Sequence, residues 1–304
     1  MKKKILITGG AGNVGGSLAR RLVKNEDYYV VIVDNLSTGS KTKLPDSSYE
    51  NWRFIRADVN NRHDIAPVIV SGEFDYIFHY AAVVGVQRTL QNPKLVLDDI
   101  DGVRNILDLA KNTGVKRVFF SSSSEVYGEP VEIPQVEATT PLNSRLPYAI
   151  VKNVAEAFCK SYQQEYGLDY TIFRFFNTYG PLQSDDFVIT RFIGQALRGE
   201  DITIYGDGSQ TRTFCYVDDN LDTIIATMEQ GLCINDVMNV GSDVEMSVLE
   251  LGRHIIELLG STSKIIHLPT LKEGDMTRRN PDVTKMKAIL NRELLHLDVG
   301  IKRT

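Results

Sequence analysis

Tyr148 and Lys152 are the two residues whose types and spacing point most directly to chemistry. They stand four residues apart at the start of a stretch with helical apolar periodicity, so both side chains would lie on one face of a helix. An ammonium close to a phenol favours the ionised phenol, and a tyrosinate can take a proton from a substrate hydroxyl while hydride leaves the adjoining carbon. The pair therefore predicts an alcohol-oxidising site.

Four consecutive serines and a glutamate occupy residues 121–125, directly after a predicted strand. Open α/β sheets bind their ligands at the carboxyl ends of the strands. On its own the serine run is an ordinary polar loop, and Glu125 could simply cap a turn. Considered together with Tyr148 and Lys152, Ser123 and Glu125 become candidate members of the same site.

A glycine-rich loop joins the first predicted strand to the first predicted helix. Glycines at positions 9, 12 and 15 permit a tight turn and a close approach of the backbone to a pyrophosphate, and the N–H groups at the helix start attract the anion. The second predicted strand ends at Asp34, whose carboxylate can hold both hydroxyls of an adenosine ribose. Because that carboxylate would repel a 2′-phosphate, the sequence predicts NAD rather than NADP.

Short apolar runs alternate with longer amphipathic segments in the first half of the chain, which is the pattern of βαβ units around a parallel sheet. The predicted strands are Lys4–Thr8, Val30–Asp34, Phe54–Ala57, Tyr76–His79, Arg117–Ser121 and Tyr170–Phe175. After about residue 180, turns rich in Gly, Asp and Pro separate shorter elements. We predict an α/β fold, with a Rossmann-type doubly wound parallel sheet over residues 1–180 and a smaller α/β C-terminal substrate lobe over residues 181–304, to which discontinuous segments contribute.

The composition narrows the class of protein. The 304 residues include 34 Lys+Arg and 39 Asp+Glu, for a formal net charge of −5, and 42% are hydrophobic, which excludes a disordered or fibrous chain. Without a dense positive field, neither a nucleic acid nor an anionic membrane is a predicted partner. Three widely spaced cysteines fit neither a disulfide framework nor a zinc site, so the sequence predicts no metal and a reducing cytoplasm.

Motifs along nearly the whole chain resemble one family. They are GGAGNVG, VDNLSTG, HYAA at 79–82, SSSSEVYGEP, YAIVK, RFFNTYGP at 174–181, GDGSQTRTFCYVDD at 206–219 and EGDMTRRNPD at 273–282. In this order they resemble the extended short-chain dehydrogenases/reductases that modify nucleotide-sugars. UDP-glucuronate decarboxylases and UDP-sugar 4-epimerases are the members that the chain resembles most closely, and sugar 4,6-dehydratases belong to the same group.

The resemblance implies that NAD oxidises the C4 hydroxyl of a nucleotide-diphosphate sugar, with Tyr148 as the base, Lys152 tuning it and Ser123 bound to the C4 oxygen. The implied cofactor contacts are Gly9, Gly12, Asn13, Val14, Gly15, Asp34, Asn35, Asp58, Val59, Ala81, Ala82, Tyr148 and Lys152. The implied substrate contacts are Arg145, Asn177, Tyr205, Arg212 and Arg279. Core packing is an alternative explanation for Ala81, Ala82 and Tyr205.

Several reactions can follow C4 oxidation. Glu125, Arg145 and Arg279 resemble decarboxylase residues, and a carboxylate near C5 or C6 is useful where a proton moves at those carbons. The segment LPYAIVK at 146–152 is closer to the epimerase pattern, and Asp99 stands where many relatives have Asn. Decarboxylation of UDP-glucuronate and C4 epimerisation are therefore the preferred hypotheses. The alternatives are a C4 dehydrogenase that releases the 4-keto sugar, a 4,6-dehydratase and a non-enzymatic NAD-binding regulator.

The resemblance also implies a homodimer that pairs through a four-helix bundle. The helices concerned would span about residues 96–112 and 149–166, and Val154, Ala155 and Phe158 could form the apolar stripe, although core burial explains them equally well. The chain ends at Thr304, where such relatives usually continue through a terminal helix, so it is slightly short for the family.

Overall fold

Strands and helices alternate through the first half of the chain and become shorter in the second half. The computed structural model describes residues 2–270 and 278–304. The strands are β1 (Lys3–Thr8), β2 (Tyr28–Asp34), β3 (Trp52–Arg56), β4 (Tyr76–His79), β5 (Arg117–Ser123), β6 (Asp169–Phe175), β7 (Thr178–Tyr179), β8 (Ile202–Tyr205), β9 (Thr211–Thr213), β10 (Cys215–Tyr216), β11 (Asp236–Val240), β12 (Glu245–Ser247) and β13 (Ile265–Leu268). The helices are α1 (Asn13–Leu22), α2 (Arg62–Gly72), α3 (Val86–Gln91), α4 (Pro93–Ala110), α5 (Pro147–Tyr166), α6 (Val188–Arg198), α7 (Val217–Glu229), α8 (Val248–Leu259), α9 (Thr284–Leu290) and α10 (Leu297–Arg303).

Seven of the strands form one parallel sheet in the order β11-β6-β5-β4-β1-β2-β3. Both faces of this sheet are covered, which is why its strands are almost continuously apolar. Successive residues of β1 point to opposite faces: Ile5 and Ile7 pack with α1 and α6, whereas Leu6 packs with α2, α4 and α5. The predicted fold class is confirmed, and the carboxyl ends of the parallel strands meet at one edge.

The structure differs from the predicted elements in two informative ways. Helix α5 begins at Pro147 and α4 at Pro93, both earlier than predicted, because proline favours the first turn of a helix, where its missing N–H costs nothing. The seventh strand of the sheet, β11, lies in the second half of the chain, where we predicted no strand of the central sheet. It pairs with β6 in parallel, from Asp236 opposite Thr171 to Val240 opposite Phe175.

The remaining strands form three small sheets, in which β10 pairs with β7, β12 with β9 and β13 with β8. Helix α7 packs against α1, so the second half of the chain contacts the helix that follows the glycine-rich loop. The division of the chain near residue 180 stays a prediction. Among the described residues, no helix has the length and apolar character needed to span a bilayer.

Candidate active site

A cavity of about 500 Å³ opens at the carboxyl ends of β1, β2, β4, β5 and β6. Most of the residues that the sequence analysis selected line it. These are Gly9, Gly12, Asn13, Val14, Gly15, Asp34, Asn35, Asp58, Val59, Ala81, Ala82, Ser123, Glu125, Tyr148, Lys152, Asn177 and Arg279. The fold therefore brings the glycine-rich loop, the Tyr148/Lys152 pair and Arg279 to one chamber.

The glycine-rich loop leaves no room for side chains beside its backbone. Gly9 has a φ of +69°, and a Cβ placed on it would lie 2.6 Å from the backbone nitrogen of Ala81. A Cβ on Gly15 would lie 2.4 Å from the carbonyl oxygen of Gly9. No side chain caps the start of α1, and its first turn contains no acidic residue, so its N–H groups can receive an anion. These features fit the pyrophosphate of a dinucleotide.

Asp34 ends β2 at the far side of the loop, and its carboxylate is held by backbone groups. Oδ2 accepts a hydrogen bond from the Ala11 N–H at 3.0 Å, and Oδ1 accepts one from the Leu36 N–H at 2.8 Å. Each carboxylate oxygen retains a second acceptor direction, so the pair can still receive ribose hydroxyls. Nearby, the Asn35 side-chain amide donates to Asp58 Oδ2 at 3.1 Å, which links the ends of β2 and β3.

Three consecutive serines at the end of β5 contact three successive turns of α5. The Ser123 hydroxyl lies close enough to the phenol of Tyr148 to lower its pKa. Lys152 Nζ donates to the Ser121 carbonyl at 2.7 Å. The Ser122 hydroxyl donates to Glu156 Oε1 at 2.6 Å. These contacts therefore fix the position of α5 along its axis and its rotation about that axis relative to β5, and α5 carries Tyr148 and Lys152.

Burial has opposite consequences for Tyr148 and Lys152. It raises the pKa of the Tyr148 phenol well above its usual value, although the Ser123 hydrogen bond and the positive charge of Arg279 oppose that shift. Burial also lowers the pKa of Lys152 to about 8, against the negative charges of Asp99 and Glu156. Lys152 Nζ lies 5.7 Å from the centre of the Tyr148 ring. We expected the ammonium to favour the ionised phenol, but in this structure burial outweighs it.

Glu125 and Arg279 form an ion pair in the wall of the cavity. The distance from Arg279 Nη2 to Glu125 Oε1 is 2.6 Å, and the side chains are only 7% and 13% exposed for Arg279 and Glu125 respectively. Glu125 Oε2 and Arg279 Nε are both buried and have no hydrogen-bond partner within residues 2–270 and 278–304. Because buried polar atoms are normally paired, these two atoms indicate the position of a polar ligand.

Three predicted substrate residues are not among the described residues that line this cavity. Arg145 is exposed, two residues before the start of α5. Tyr205 is half-buried at the end of β8, with the Arg191 guanidinium 5.6 Å from its ring centre. Arg212 is buried on β9 and donates to the Thr211 carbonyl at 2.8 Å. Asn177 does line the cavity, and its amide donates to the Thr213 carbonyl at 3.0 Å. Substrate roles for Arg145, Tyr205 and Arg212 stay predictions.

Asp99 and Lys43 are among the charged residues that line the cavity and for which the sequence predicted no role. Asp99 Oδ2 accepts a hydrogen bond from the Val83 N–H at 2.7 Å, which places a carboxylate beside the Ala81–Ala82 segment. Burial raises the pKa of Asp99, and the charge of Lys152 lowers it. Burial lowers the pKa of Lys43, which lines the cavity near Asp34. For Asp99 the only signal was its departure from the usual Asn, and for Lys43 there was none.

Comparisons with known proteins show which family the chain resembles over most of its length. The NAD dependent epimerase/dehydratase family matches residues 5–241. A UDP-N-acetyl-alpha-D-glucosaminuronate decarboxylase of Bacillus cytotoxicus is 40% identical over 303 residues, which cover 94% of this chain and 91% of that protein. UDP-glucuronic acid decarboxylase 1 of Xenopus tropicalis is 36% identical over 312 residues, which cover 100% of this chain and 71% of that protein.

Solved structures show the same fold. A UDP-glucose 4-epimerase of Thermotoga maritima, solved with UDP-glucose, superimposes with a TM-score of 0.92 and 33% identity, covering 99% of this chain and 97% of that one. A Thermus thermophilus UDP-glucose 4-epimerase, solved with NAD, gives a TM-score of 0.90 at 26% identity, covering 99% of this chain and 97% of that one. The predicted enzyme class and NAD cofactor are confirmed. The chain belongs to the NAD-dependent epimerase/dehydratase family of extended short-chain dehydrogenases/reductases.

Proposed function

We propose that this protein is a UDP-uronate decarboxylase, which oxidises the sugar at C4 and then removes the C6 carboxylate. The observation that carries the proposal is the buried Glu125–Arg279 pair, which lies in the same cavity as Tyr148 and keeps one polar atom free on each side chain. An arginine with an unpaired Nε–H is suited to bind a carboxylate, because a guanidinium can donate two parallel hydrogen bonds.

The first step needs a base and a hydrogen-bond donor at the C4 hydroxyl. NAD, when bound, supplies the hydride acceptor. Tyr148 would take the hydroxyl proton and Ser123 would hold the oxygen, since these two side chains lie close together in the cavity wall. Lys152, anchored to the Ser121 carbonyl, would place a positive charge beside them when it is protonated.

The second step follows from the chemistry of a uronate. Oxidation at C4 turns the C6 carboxylate into part of a β-keto acid, whose C5–C6 bond breaks as CO₂ leaves and the electron pair forms an enolate at C4. Tyr148 and Ser123 would stabilise the enolate oxygen while C5 takes a proton, and return of the hydride to C4, with the proton held by Tyr148, would restore the C4 hydroxyl and NAD. Arg279 would orient the carboxylate, and Glu125 is the acid–base group placed beside it to move the proton.

Cofactor and substrate contacts are part of the same proposal. The glycine-rich loop with Asn13 and Val14 would hold the pyrophosphate of NAD, and Asp34, Asn35, Asp58 and Val59 its adenosine. Ala81 and Ala82 would border the nicotinamide side together with Lys152. Asn177 and Arg279 would contact the nucleotide sugar, and the family resemblance implies the same of Arg145, Tyr205 and Arg212.

C4 epimerisation is the second candidate. It is favoured by the fold comparison with UDP-glucose 4-epimerases, at a TM-score of 0.92 for the Thermotoga maritima structure. A UDP-glucose 4-epimerase needs the same Tyr148 and Ser123 but has no substrate carboxylate for a buried arginine to receive, whereas a UDP-glucuronic acid 4-epimerase, such as the Bacillus cereus enzyme of the same fold, acts on a carboxylated sugar. The decarboxylase relatives, which are 36–40% identical, support the first candidate.

Product analysis with a panel of nucleotide sugars tests the proposal. UDP-glucuronate, UDP-N-acetylglucosaminuronate, UDP-glucose and UDP-N-acetylglucosamine are each incubated with the purified protein, and CO₂ and the sugar products are measured. We expect CO₂ from at least one uronate and none after Tyr148→Phe. A 4-epimer without CO₂ would favour the epimerase, and stoichiometric NADH with a 4-keto product the dehydrogenase. A dehydrated 4-keto-6-deoxy sugar would indicate a 4,6-dehydratase, and bound NAD without turnover a regulator.

We also propose that the protein forms a homodimer. Helices α4 and α5 pack against each other and expose apolar side chains, with Leu97 47%, Ile150 42% and Val154 40% exposed. This surface supports a homodimer that pairs through four helices, in which Val154 rather than the buried Ala155 provides the contact.

Three free cysteines, of which Cys159 and Cys215 are buried, support a reducing cytoplasm.

A further inference from the structure

A buried ion pair lies one helical turn beyond Lys152 and is not explained by the proposed chemistry. Glu156 on α5 and Arg174 on β6 are only 1% and 2% exposed. The guanidinium of Arg174 donates through Nε to Glu156 Oε1 at 3.0 Å and through Nη2 to Glu156 Oε2 at 2.7 Å. This two-bond geometry fixes both the distance and the angle between the helix and the strand.

A chain of hydrogen bonds continues from this ion pair toward the other half of the site. Arg174 Nη1 donates to the Tyr127 hydroxyl at 2.8 Å, and that hydroxyl donates to Asn239 Oδ1 at 2.7 Å. Tyr127 lies in the same single turn, Ser124–Tyr127, as Glu125. The chain therefore joins the helix of Tyr148 and Lys152 to the turn that carries Glu125.

The same chain reaches the segment that carries Arg279. The Asn239 amide donates to the carbonyls of Gln135 at 2.9 Å and Asp282 at 3.2 Å. The Gln135 N–H donates to the Asn280 carbonyl at 2.8 Å, directly after Arg279. Every step is a direct contact of normal hydrogen-bond length between buried or half-buried groups. Both members of the Glu125–Arg279 pair are thus tied to the network centred on Tyr127 and Arg174.

Burying an ion pair is a weak way to stabilise a fold, because the desolvation of both charges offsets most of their attraction. A buried bidentate pair is, by contrast, an effective way to hold two elements in one arrangement. We propose that Glu156, Arg174 and Tyr127 are positioning residues, which align the carboxylate-recognising pair Glu125–Arg279 with the oxidising pair Tyr148–Lys152. The inference rests on the proposed decarboxylase function.

Tyr127→Phe tests the inference with the smallest change, since it removes one hydroxyl and keeps the ring that packs against Phe176. Tyr162→Phe is the matched control, because it removes a phenol hydroxyl that donates to Asp108 at 2.7 Å on the packed pair α4 and α5. Both variants are made in the full-length enzyme, and their melting temperatures are measured alongside the wild type.

The first readout separates the two steps with UDP-glucuronate in single-turnover experiments. Tyr127→Phe should leave the rate of the 340 nm absorbance rise within about twofold and slow CO₂ release roughly tenfold, since a small misplacement of a reacting group is costly. Tyr162→Phe should change neither rate. Equal slowing of both steps by Tyr127→Phe, or no change in either, would overturn the inference.

The second readout is binding without turnover, in a Tyr148→Phe background. The affinity for UDP-glucuronate relative to UDP-glucose reports whether Arg279 receives the carboxylate. Adding Tyr127→Phe should reduce that ratio several-fold and leave UDP-glucose binding unchanged. If the Tyr148→Phe protein shows no preference for the carboxylated sugar, the proposed function and the inference both fail. If the preference is present and Tyr127→Phe does not alter it, the inference alone fails.

Discussion

Arg279 Nη2 contacts Glu125 Oε1 at 2.6 Å, although 154 residues separate the two side chains in sequence. Arg279 lies in the second half of the chain and Glu125 follows the end of β5, so only the folded chain assembles the pair. The ion pair is close enough to Tyr148 to affect its pKa. The charge of Arg279 lowers the pKa of the phenol, and the charge of Glu125 raises it. The ion pair Glu125–Arg279 and the Tyr148 phenol therefore lie close together in the cavity.

Arg279→Gln should impair decarboxylation selectively. A hydrogen bond to a charged group contributes about 1.5–3 kcal/mol, so we expect kcat/KM for UDP-glucuronate to fall roughly ten- to a hundredfold. The neighbouring Arg278→Gln is the control, since Arg278 is half-exposed and pairs with Glu245 at 2.8 Å. Steady-state CO₂ release measures both variants. An equal loss in the two would show that Arg279 has no special role toward the carboxylate.

Glu125→Gln should separate oxidation from decarboxylation. The amide keeps a hydrogen-bonding oxygen for Arg279 but cannot exchange a proton, and acid–base groups typically contribute roughly 10²–10⁴-fold to the step they serve. We expect a normal absorbance rise at 340 nm and slow formation of the decarboxylated sugar. Full-speed product formation would remove Glu125 from the proton transfer.

Asp99→Asn should move the pH profile of kcat/KM toward acid. The negative charge of Asp99 raises the pKa values of both Lys152 and Tyr148, so its removal lowers both. The alkaline limb of the profile, where Lys152 with a pKa of about 8 loses its proton, should therefore shift toward acid. Asparagine can still accept from the Val83 N–H, which keeps the local structure.

Asp98→Asn is the control for that profile, because Asp98 pairs with Lys94 at 3.0 Å on the surface of α4. Its pH dependence should match the wild type. An alkaline limb that does not move in Asp99→Asn, or that moves toward alkali, would contradict the electrostatic role of Asp99.

Gly15→Ala should weaken the binding of NAD. The new Cβ would lie 2.4 Å from the Gly9 carbonyl oxygen, so the loop must open where the pyrophosphate is expected. We predict that the purified variant retains far less NAD than the wild type, as measured by the absorbance of the heat-released nucleotide. Gly252→Ala on α8, where the nearest atom would lie at an ordinary 3.5 Å, should retain NAD normally. Equal retention in both would argue against a pyrophosphate at Gly15.

Val154→Asp should dissociate the proposed dimer, because it places a charge in the centre of the exposed apolar surface of α4 and α5. Sedimentation velocity is the measurement, with a halved mass expected. Leu197→Asp is the control, since Leu197 is 70% exposed on α6, away from that surface. A wild-type protein that sediments as a monomer would contradict the prediction.

Local patterns were sufficient to predict the central sheet and the cofactor loop. The strands ending at Thr8 and Asp34 are short apolar runs that end in residues able to turn, and such patterns need no knowledge of distant contacts. The strand β11 could not be assigned to the sheet in this way. Its five residues, Asp236–Val240, carry no signal of which neighbour they pair with, because the pairing depends on elements that are distant in sequence, such as α9, which packs against β11.

Roles that depend on contacts between distant residues could not be predicted from the sequence either. Glu156 and Arg174 are charged residues in a helix and a strand, and either could have been solvated. Their burial becomes evident only when α5 lies against β5 and β6. For Arg145, Tyr205 and Arg212, a motif implies substrate contacts, but these residues are not among those that line the cavity, and their substrate roles stay predictions.

The position of β11 has a consequence for synthesis of the chain on the ribosome. In the finished sheet β6 lies between β5 and β11, so it has no free edge. During translation, however, residues 176–235 must emerge before β11 can join, and until then the unpaired edge of β6 is open to any other extended chain. Aggregation of nascent protein should therefore depend on how quickly residues 176–240 are made, and a stall in that interval should be more harmful than one after residue 240.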